Sequence, residues 1–161
     1  MNTKEQVSEW DRILDEYESN IGIPKYRESS FDDQEFEQYF SMNRDVIEKQ
    51  TPDDCIQISL RLAQYGLHIQ RSLNREMARQ NWSEELIKQV IADEINSYKG
   101  YGYIEKSQQA IKHNEKANSL NKIRTFAKQR VDRLSYIASS IKNLSDIFMS
   151  IYKTKASQKH G

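Results

Sequence analysis

From residue 58 onward, apolar side chains recur at steps of three and four positions, which is the spacing of one face of an α-helix. The stripe comprises Ile58, Leu62, Tyr65, Ile69, Leu73 and Met77, and Trp82, Leu86, Val90 and Ile95 continue it after a small phase shift. Thr51 and Pro52 stand before it as an N-cap and a first helical residue. The pattern predicts one long helix from residue 51 to the glycines at 100 and 102.

A second long stripe follows these glycines. It comprises Leu120, Ile123, Ala127, Val131, Leu134, Ala138, Ile141, Leu144, Phe148 and Ile151. This stripe predicts a helix from about Glu105 to Lys153, joined to the first by a turn at residues 98–104. Folding the chain about that turn brings the two stripes together, with Leu120 beside Trp82. We therefore expect an all-α fold built on a long antiparallel helical hairpin, similar to a coiled coil.

The first 50 residues predict an N-terminal arm of short amphipathic helices. A capping box at Thr3 and Gln6 starts the first, over about residues 4–19, and Gly22 and Pro24 end it. Its apolar face comprises Val7, Trp10, Leu14, Tyr17 and Ile21. After a linker, a second helix is expected from Phe31 to Lys49. The chain thus divides into an acidic arm (1–50), the hairpin (51–155) and a flexible tail (156–161).

The composition is lean for a compact globule, because 37% of residues are apolar, 30% are charged and the mean hydropathy is −0.89. Such a chain buries a narrow seam rather than a thick core, so we expect a homo-oligomer. There is a single cysteine and no apolar run of about 18 residues, the length that a membrane span needs. These features predict a cytoplasmic protein without membrane contact.

Charge is distributed unevenly although the total is zero. Residues 1–98 hold 11 Lys/Arg and 20 Asp/Glu, a net of −9, whereas residues 99–161 hold 13 Lys/Arg and 4 Asp/Glu, a net of +9. The split predicts either pairing between the two parts or a basic surface for an acidic partner.

The hairpin tip is the candidate nucleic-acid site. Between Glu105 and Ala117 no apolar stripe is evident, and lysines and tyrosines replace it. Single-stranded nucleic acids bind to basic surfaces that also carry aromatic stacking platforms. The candidate residues are Lys99, Tyr101, Tyr103, Lys106, Lys112, Lys116, Lys122, Arg124 and Lys128. The alternative is that the acidic residues of the facing helix, Glu84, Glu85, Asp93 and Glu94, pair with the lysines.

Other chemistry is not indicated. The three histidines are far apart, and no phosphate-binding glycine loop is present, so we expect no catalytic residues, no metal site and no cofactor. The first helix has a candidate partner-binding face comprising Trp10, Leu14 and Tyr17. The alternative for that face is packing on the protein's own helices.

Three segments resemble the UvsY-like phage recombination mediators. They are YGLHIQRSLNREMAR (65–79), the tyrosine–glycine turn INSYKG (95–100) and the apolar helix from Leu134 that ends in basic residues at Lys153. The resemblance covers about residues 60–153. It implies a small helical protein that assembles into rings, binds single-stranded DNA and helps to load a recombinase onto DNA coated with single-strand-binding protein. The basic pair that the family carries before this turn would fall near Ala92 and Glu94, which are not basic, so it does not transfer.

We therefore expect a non-enzymatic, oligomeric, phage-type accessory protein that binds single-stranded DNA in recombination or repair, in the host cytoplasm. A recombinase or a single-strand-binding protein is an expected partner. Two alternatives remain open at this point. One is a structural or DNA-packaging ring protein, similar to a small terminase subunit or a virion connector. The other is a protein–protein adaptor whose acidic arm is the binding part.

Overall fold

The computed structural model describes residues 2–23, 31–100 and 102–159 of the chain, and these residues form helices without any strand. The helices are α1 (Thr3–Asn20), α2 (Asp33–Ser41), α3 (Arg44–Glu48), α4 (Pro52–Ile91), α5 (Tyr103–His113) and α6 (Glu115–Gln158), with a short 3-10 turn at Ile95–Ser97. The predicted all-α class and the packing of two long helices as a hairpin are both confirmed.

Local capping explains where the first helices begin. The start of α4 is confirmed: the Asp54 N–H donates to Thr51 Oγ1 at 3.1 Å, and the Thr51 N–H donates to Asp54 Oδ2 at 3.3 Å. The predicted cap of α1 is wrong by one residue. Asn2, not Thr3, is the N-cap, because its Oδ1 accepts from the Glu5 N–H at 2.9 Å while the Glu5 carboxylate accepts from the Asn2 N–H.

Two predicted boundaries are also corrected. The helix expected over 31–49 is two helices, because α2 ends at Ser41 and Met42 follows in an extended conformation. Asn43 then caps α3 by accepting from the Val46 N–H at 3.0 Å. The tail predicted to be flexible is helical up to Gln158, and His160 and Gly161 lie outside the described residues. The predicted linker spans residues 21–30 (IGIPKYRESS), and its residues 24–30 also lie outside the described residues.

The chain forms two compact units, and their borders differ from those of the predicted arm and hairpin. Unit 1 comprises Met1–Lys25 and Leu73–Arg133, and unit 2 comprises Tyr26–Ser72 and Leu134–Gly161. The predicted arm is therefore divided between the units, while α4 and α6 each contribute a segment to both.

The core of unit 1 forms where α1 covers the hairpin. Its buried residues are Trp10, Ile87, Ile91, Ile95, Ala110, Ala117, Leu120 and Ile123. Trp10 is only 5% exposed, and its ring lies 5.8 Å from that of Trp82. The predicted stripe is wrong at Met77, because this side chain is exposed. Farther along α4 the buried residues are Ile87 and Ile91.

A network of ion pairs also joins three helices of unit 1, namely α1, α4 and α6. Arg79 of α4 donates from Nη2 to both carboxylate oxygens of Asp11 in α1, at 2.6 and 2.7 Å. Arg79 also donates to Glu76 at 2.6 Å. Arg130 Nε of α6 lies 2.9 Å from the other oxygen of Glu76, without the alignment of a hydrogen bond. Because Glu76 is buried, these cations supply the compensation that its charge requires.

The core of unit 2 lies among α2, α3 and segments of α4 and α6. It comprises Phe36, Ile47, Cys55, Ile58, Leu62, Ile69, Ile141 and Phe148, and the Phe36 and Tyr65 rings stack with centroids 4.0 Å apart. Ser59 and Ser145 each donate a hydroxyl hydrogen bond to the other's backbone carbonyl at 3.1 Å, which joins α4 to α6. Lys155 donates to the carbonyls of Glu48 and Gln50 at the end of α3.

Glu35 connects α2 to α4 in unit 2. Its two carboxylate oxygens accept from Nε and Nη2 of Arg61, both at 2.9 Å. The hydrogen bond from Arg61 is the main reason why the pKa of Glu35 falls to about 2, with a smaller contribution from the Tyr39 hydroxyl.

Among the described helices none has the length and apolarity to cross a membrane.

Replacing Trp10 with Ala should lower the free energy of unfolding by about 3–5 kcal/mol, because a large buried side chain is lost where α1 meets the hairpin. Urea unfolding followed by circular dichroism measures this. Tyr17, on the same helix but 60% exposed, is the matched control, and Tyr17→Ala should change stability by no more than about 0.5 kcal/mol. Equal effects of the two substitutions would contradict the packing of α1.

The Glu35–Arg61 pair should make the free energy of unfolding depend on pH in the acidic range. Because the folded pKa is about 2 and the ordinary value is 4.5, the pair's contribution is present above pH 4.5 and is lost as the pH falls toward 2. In Arg61→Gln this part of the stability–pH profile should flatten, and an NMR titration should show the pKa of Glu35 moving back up. The control is Arg44→Gln, which removes the exposed Arg44–Glu48 pair and should leave the Glu35 titration unchanged.

Candidate nucleic-acid interface

The connection after α4 is shaped by stacking and by a close contact at a glycine. α4 ends at Ile91, earlier than predicted, and the half-buried Tyr98 then stacks on His113 of α5, with ring centroids 5.8 Å apart and planes 7° apart. A Cβ on Gly100 would lie 3.1 Å from the Cβ and Oε2 of Glu105, which is tighter than normal contact. Gly100 therefore lets the chain pass close to α5.

Asn114 divides the helix that the sequence predicts over Glu105–Lys153. Its Oδ1 accepts from the Ala117 N–H at 3.0 Å and caps α6, while its Nδ2 donates to Glu94 at 3.1 Å. The break resets the helical phase, so Ala110 and Ala117 are both fully buried in the same core as Leu120. The prediction that no apolar stripe exists between Glu105 and Ala117 is therefore wrong.

Most of the predicted cationic residues are exposed. Lys99, Lys112, Lys116, Lys122, Lys128 and Tyr103 are exposed, whereas Lys106 and Arg124 are half-buried. Arg124 donates to Asn121 of its own helix. Tyr101 lies outside the described residues, and its place in the site stays a prediction.

The tip lysines differ from the arginines of α4 in what they pair with. Within the part of the chain that the structure describes, no carboxylate forms an ion pair with Lys112, Lys116 or Lys122. Arg75 and Arg79, by contrast, are nearly buried and pair with α1. Burial lowers the pKa of Arg75, but the hydrogen bond to Asp15 and the nearby carboxylate charges outweigh this and leave the pKa raised.

Two of the four acidic residues expected to neutralise the tip make other contacts. Glu85 pairs with Lys88 on its own helix at 3.1 Å, and this hydrogen bond raises the pKa of Lys88. Glu94 accepts from Asn114 instead of from a lysine. Internal pairing therefore accounts for Arg75 and Arg79 of α4 but not for Lys112, Lys116 and Lys122.

An open groove of about 890 Å³ lies where α1, α5 and α6 meet in unit 1. Its lining includes Asn2 and Thr3 at the start of α1, His113 at the end of α5, and Lys116 in the first turn of α6. Two helix N-termini and Lys116 border the same space and favour a negatively charged group, whereas Glu115 in the same lining opposes one.

The outer face of α6 carries a feature that the sequence analysis missed. Phe126 is 56% exposed, and Lys122 and Arg133 lie on the same face of the helix, one turn before it and two turns after it. The signal was present in the sequence, since Phe126 is the one large apolar residue between Leu120 and Val131 that does not belong to the seam. An exposed ring among cations is a stacking platform of the kind that unpaired bases use.

The structure does not place all candidates on one face. Lys122 and Lys128 are six positions apart, which at 3.6 residues per turn puts them about a third of a turn out of phase. Lys128 instead shares a face with Arg124, four positions before it. The candidate cations of α6 thus form three groups in unit 1: the groove with Lys116, the Phe126 face, and the flank with Lys128.

The predicted partner-binding face of α1 is corrected in part. Trp10 is buried against Trp82, because the hairpin needs its ring for the core, and it is not open to a partner. Leu14 is half-buried and Tyr17 is exposed. The alternative, packing on the protein's own helices, describes Trp10 correctly.

Comparison with known proteins adds no further information on the site: no protein-family profile, no characterised protein and no solved structure matches the chain. Among the described residues, no three His, Cys, Asp or Glu side chains are grouped so as to hold a metal ion.

Proposed function

We propose that this protein is a non-enzymatic, oligomeric accessory factor that binds single-stranded DNA in recombination or repair. The observation that carries the proposal is the outer face of α6. There the exposed Phe126 ring lies between Lys122 and Arg133, and neither cation has a carboxylate partner among the described residues. Phosphates are attracted to the cations, while an unpaired base stacks on the ring.

A single strand fits this surface better than a duplex does. Stacking on Phe126 requires a base whose face is free, which a base inside a duplex does not offer. The surface also lacks a long row of cations along one helix face, since Lys122 and Lys128 are out of phase. Short, flexible strands can reach separate cationic groups, whereas a stiff duplex requires them in register.

The extension to phage recombination rests on the resemblance of residues 60–153 to the UvsY-like mediators. In this chain Arg75 and Arg79, which lie in the resembling segment of α4, are held by Asp15 and Asp11 of α1. We therefore assign the phosphate contacts to the lysines of α5 and α6 instead. On this proposal the protein acts in the host cytoplasm, with a recombinase or a single-strand-binding protein as its partner.

Replacing Lys112 and Lys116 together with Gln should weaken binding of a labelled single-stranded oligonucleotide and reduce its salt dependence. Each phosphate contact contributes about 0.7 to the slope of log K against log salt for single strands, so the slope should fall by about 1.4. Fluorescence anisotropy at several salt concentrations measures this. The control is Lys88→Gln, which removes an exposed lysine already paired with Glu85 and should leave the slope unchanged. An unaltered slope in the double variant would exclude these lysines from the interface.

Replacing Phe126 with Ala should reduce single-strand affinity by about 5- to 150-fold, because base–aromatic stacking contributes about 1–3 kcal/mol per base. Thermal stability should change little, since the ring is exposed. Phe40→Ala is the matched control: Phe40 is also about half exposed, but it lies on acidic α2. If Phe126→Ala binds single strands as tightly as the wild type and the Phe40→Ala control do, the proposed function is wrong. It is also wrong if the wild type prefers duplex DNA.

A further inference from the structure

α4 carries a second apolar stripe that its own hairpin does not cover. In unit 2 the residues at alternating steps of four and three are all exposed: the apolar Ile56, Leu60, Ala63 and Leu67, and then the polar but uncharged Gln70. Leu60 is 58% exposed and Leu67 is 68% exposed. The buried residues Ile58, Leu62 and Ile69 lie on another face of the same helix.

This spacing identifies the kind of partner. Single exposed leucines are common on protein surfaces, but a stripe repeating every seven residues is the seam that one helix presents to another. The two faces of α4 therefore make different contacts: one packs within unit 2, and the other has the pattern of an intermolecular helix pair.

A groove lies directly beside the stripe. It has a volume of about 350 Å³ and is lined by Ala63, Gly66 and Leu67 of α4 and by Ala138 and Ile141 of α6. A Cβ on Gly66 would lie 3.4 Å from Cγ2 of Ile141, so the two helices are close there, and the small residues Ala63, Gly66 and Ala138 belong to the lining of the groove. Leu67 thus protrudes next to a hollow large enough to receive a leucine.

We propose that a second copy of this chain occupies this surface, with the two α4 helices antiparallel about a two-fold axis, so that Leu67 of each copy packs over Ala63 of the other. A knob and a hollow on one patch make that patch self-complementary, as an isologous interface requires. The proposal identifies an interface for the oligomer, but it does not depend on nucleic-acid binding.

Charge also favours a copy over a foreign partner. The five stripe residues and the flanking Gln57 and Gln64 are uncharged, so two identical faces do not repel each other. At the rim of the groove Lys142 and Asp146 pair at 3.3 Å, which leaves the rim without net charge. A two-fold axis brings the lysine of one copy toward the aspartate of the other.

Side-chain size selects the antiparallel direction. In a parallel pair, equivalent residues face each other, so Leu67 meets Leu67 and a gap remains between the two Ala63 residues. In the antiparallel pair a large residue faces a small one, which fills the space evenly. A partner in a standard interface buries about 800 Å², more than a few half-exposed side chains supply, so the α6 rim of the groove belongs to the interface as well.

The first test changes the seam. Leu60→Glu combined with Leu67→Glu should weaken self-association by at least about 100-fold, because association would bury two unpaired charges per copy. Sedimentation velocity over the micromolar range, with circular dichroism to verify folding, measures this. The control is Ile147→Glu, which changes a 48% exposed aliphatic residue of α6 in the same unit that lies outside the groove lining. The proposal is overturned if the wild type sediments as a monomer, or if the double variant sediments as an assembly of the same molecular mass as the wild type.

The second test determines direction without disturbing the fold. Ala63→Cys and Leu67→Cys proteins are oxidised separately and as a mixture, and the native Cys55 is fully buried and stays out of the reaction. The antiparallel pair predicts that the mixed disulfide forms faster than either symmetric one, since Cα atoms must approach to within about 7 Å. Faster symmetric disulfides overturn the antiparallel arrangement. Oligonucleotide binding of all variants is measured in parallel, so that a failure of the DNA-binding proposal is seen separately.

Discussion

The structure of unit 1 depends on covering a two-helix hairpin with a third helix. A pair of helices encloses too little apolar surface to be stable alone, and this chain has few apolar residues to add. α1 meets this constraint with one large anchor, Trp10, and with the pairing of Asp11 to Arg79. In unit 2, α2 and α3 have the same role through Phe36 and Ile47.

That constraint also determines which cations remain available. Each nearly buried ion pair of α4 in unit 1 uses an arginine, whose planar group forms two parallel hydrogen bonds and loses less by desolvation than an ammonium does. The exposed cations of α5 are lysines, with long stems and fully hydrated charges. Among these side chains of α4 and α5, the arginines therefore hold the fold together and the lysines are the cations that can receive phosphates.

The long-range architecture was predictable because it depends on periodicity, which a single sequence contains. The two stripes and the Thr51–Pro52 start predicted the hairpin and the beginning of α4. The break at Asn114 was not predictable in the same way, because asparagine ends a helix only when its side chain finds both a cap position and a partner, here Glu94. Without this break, a continuous helix puts Ala110 and Ala117 on a different face from Leu120, so the sequence showed no apolar stripe at the tip. Trp10 was ambiguous for a related reason: an apolar helix face does not reveal which surface will cover it.

The two proposals are linked through affinity. The cationic groups of one copy are small and lie on different faces, so each contributes little alone and is weakened by salt. Joining copies through the α4 stripe would make the second and later contacts with one strand intramolecular, which raises the overall affinity without any new contact. A neutral seam serves this purpose well, because its strength does not fall with the salt that weakens the lysine–phosphate contacts. This chemistry therefore requires that self-association persists at high salt, whereas DNA binding is lost there.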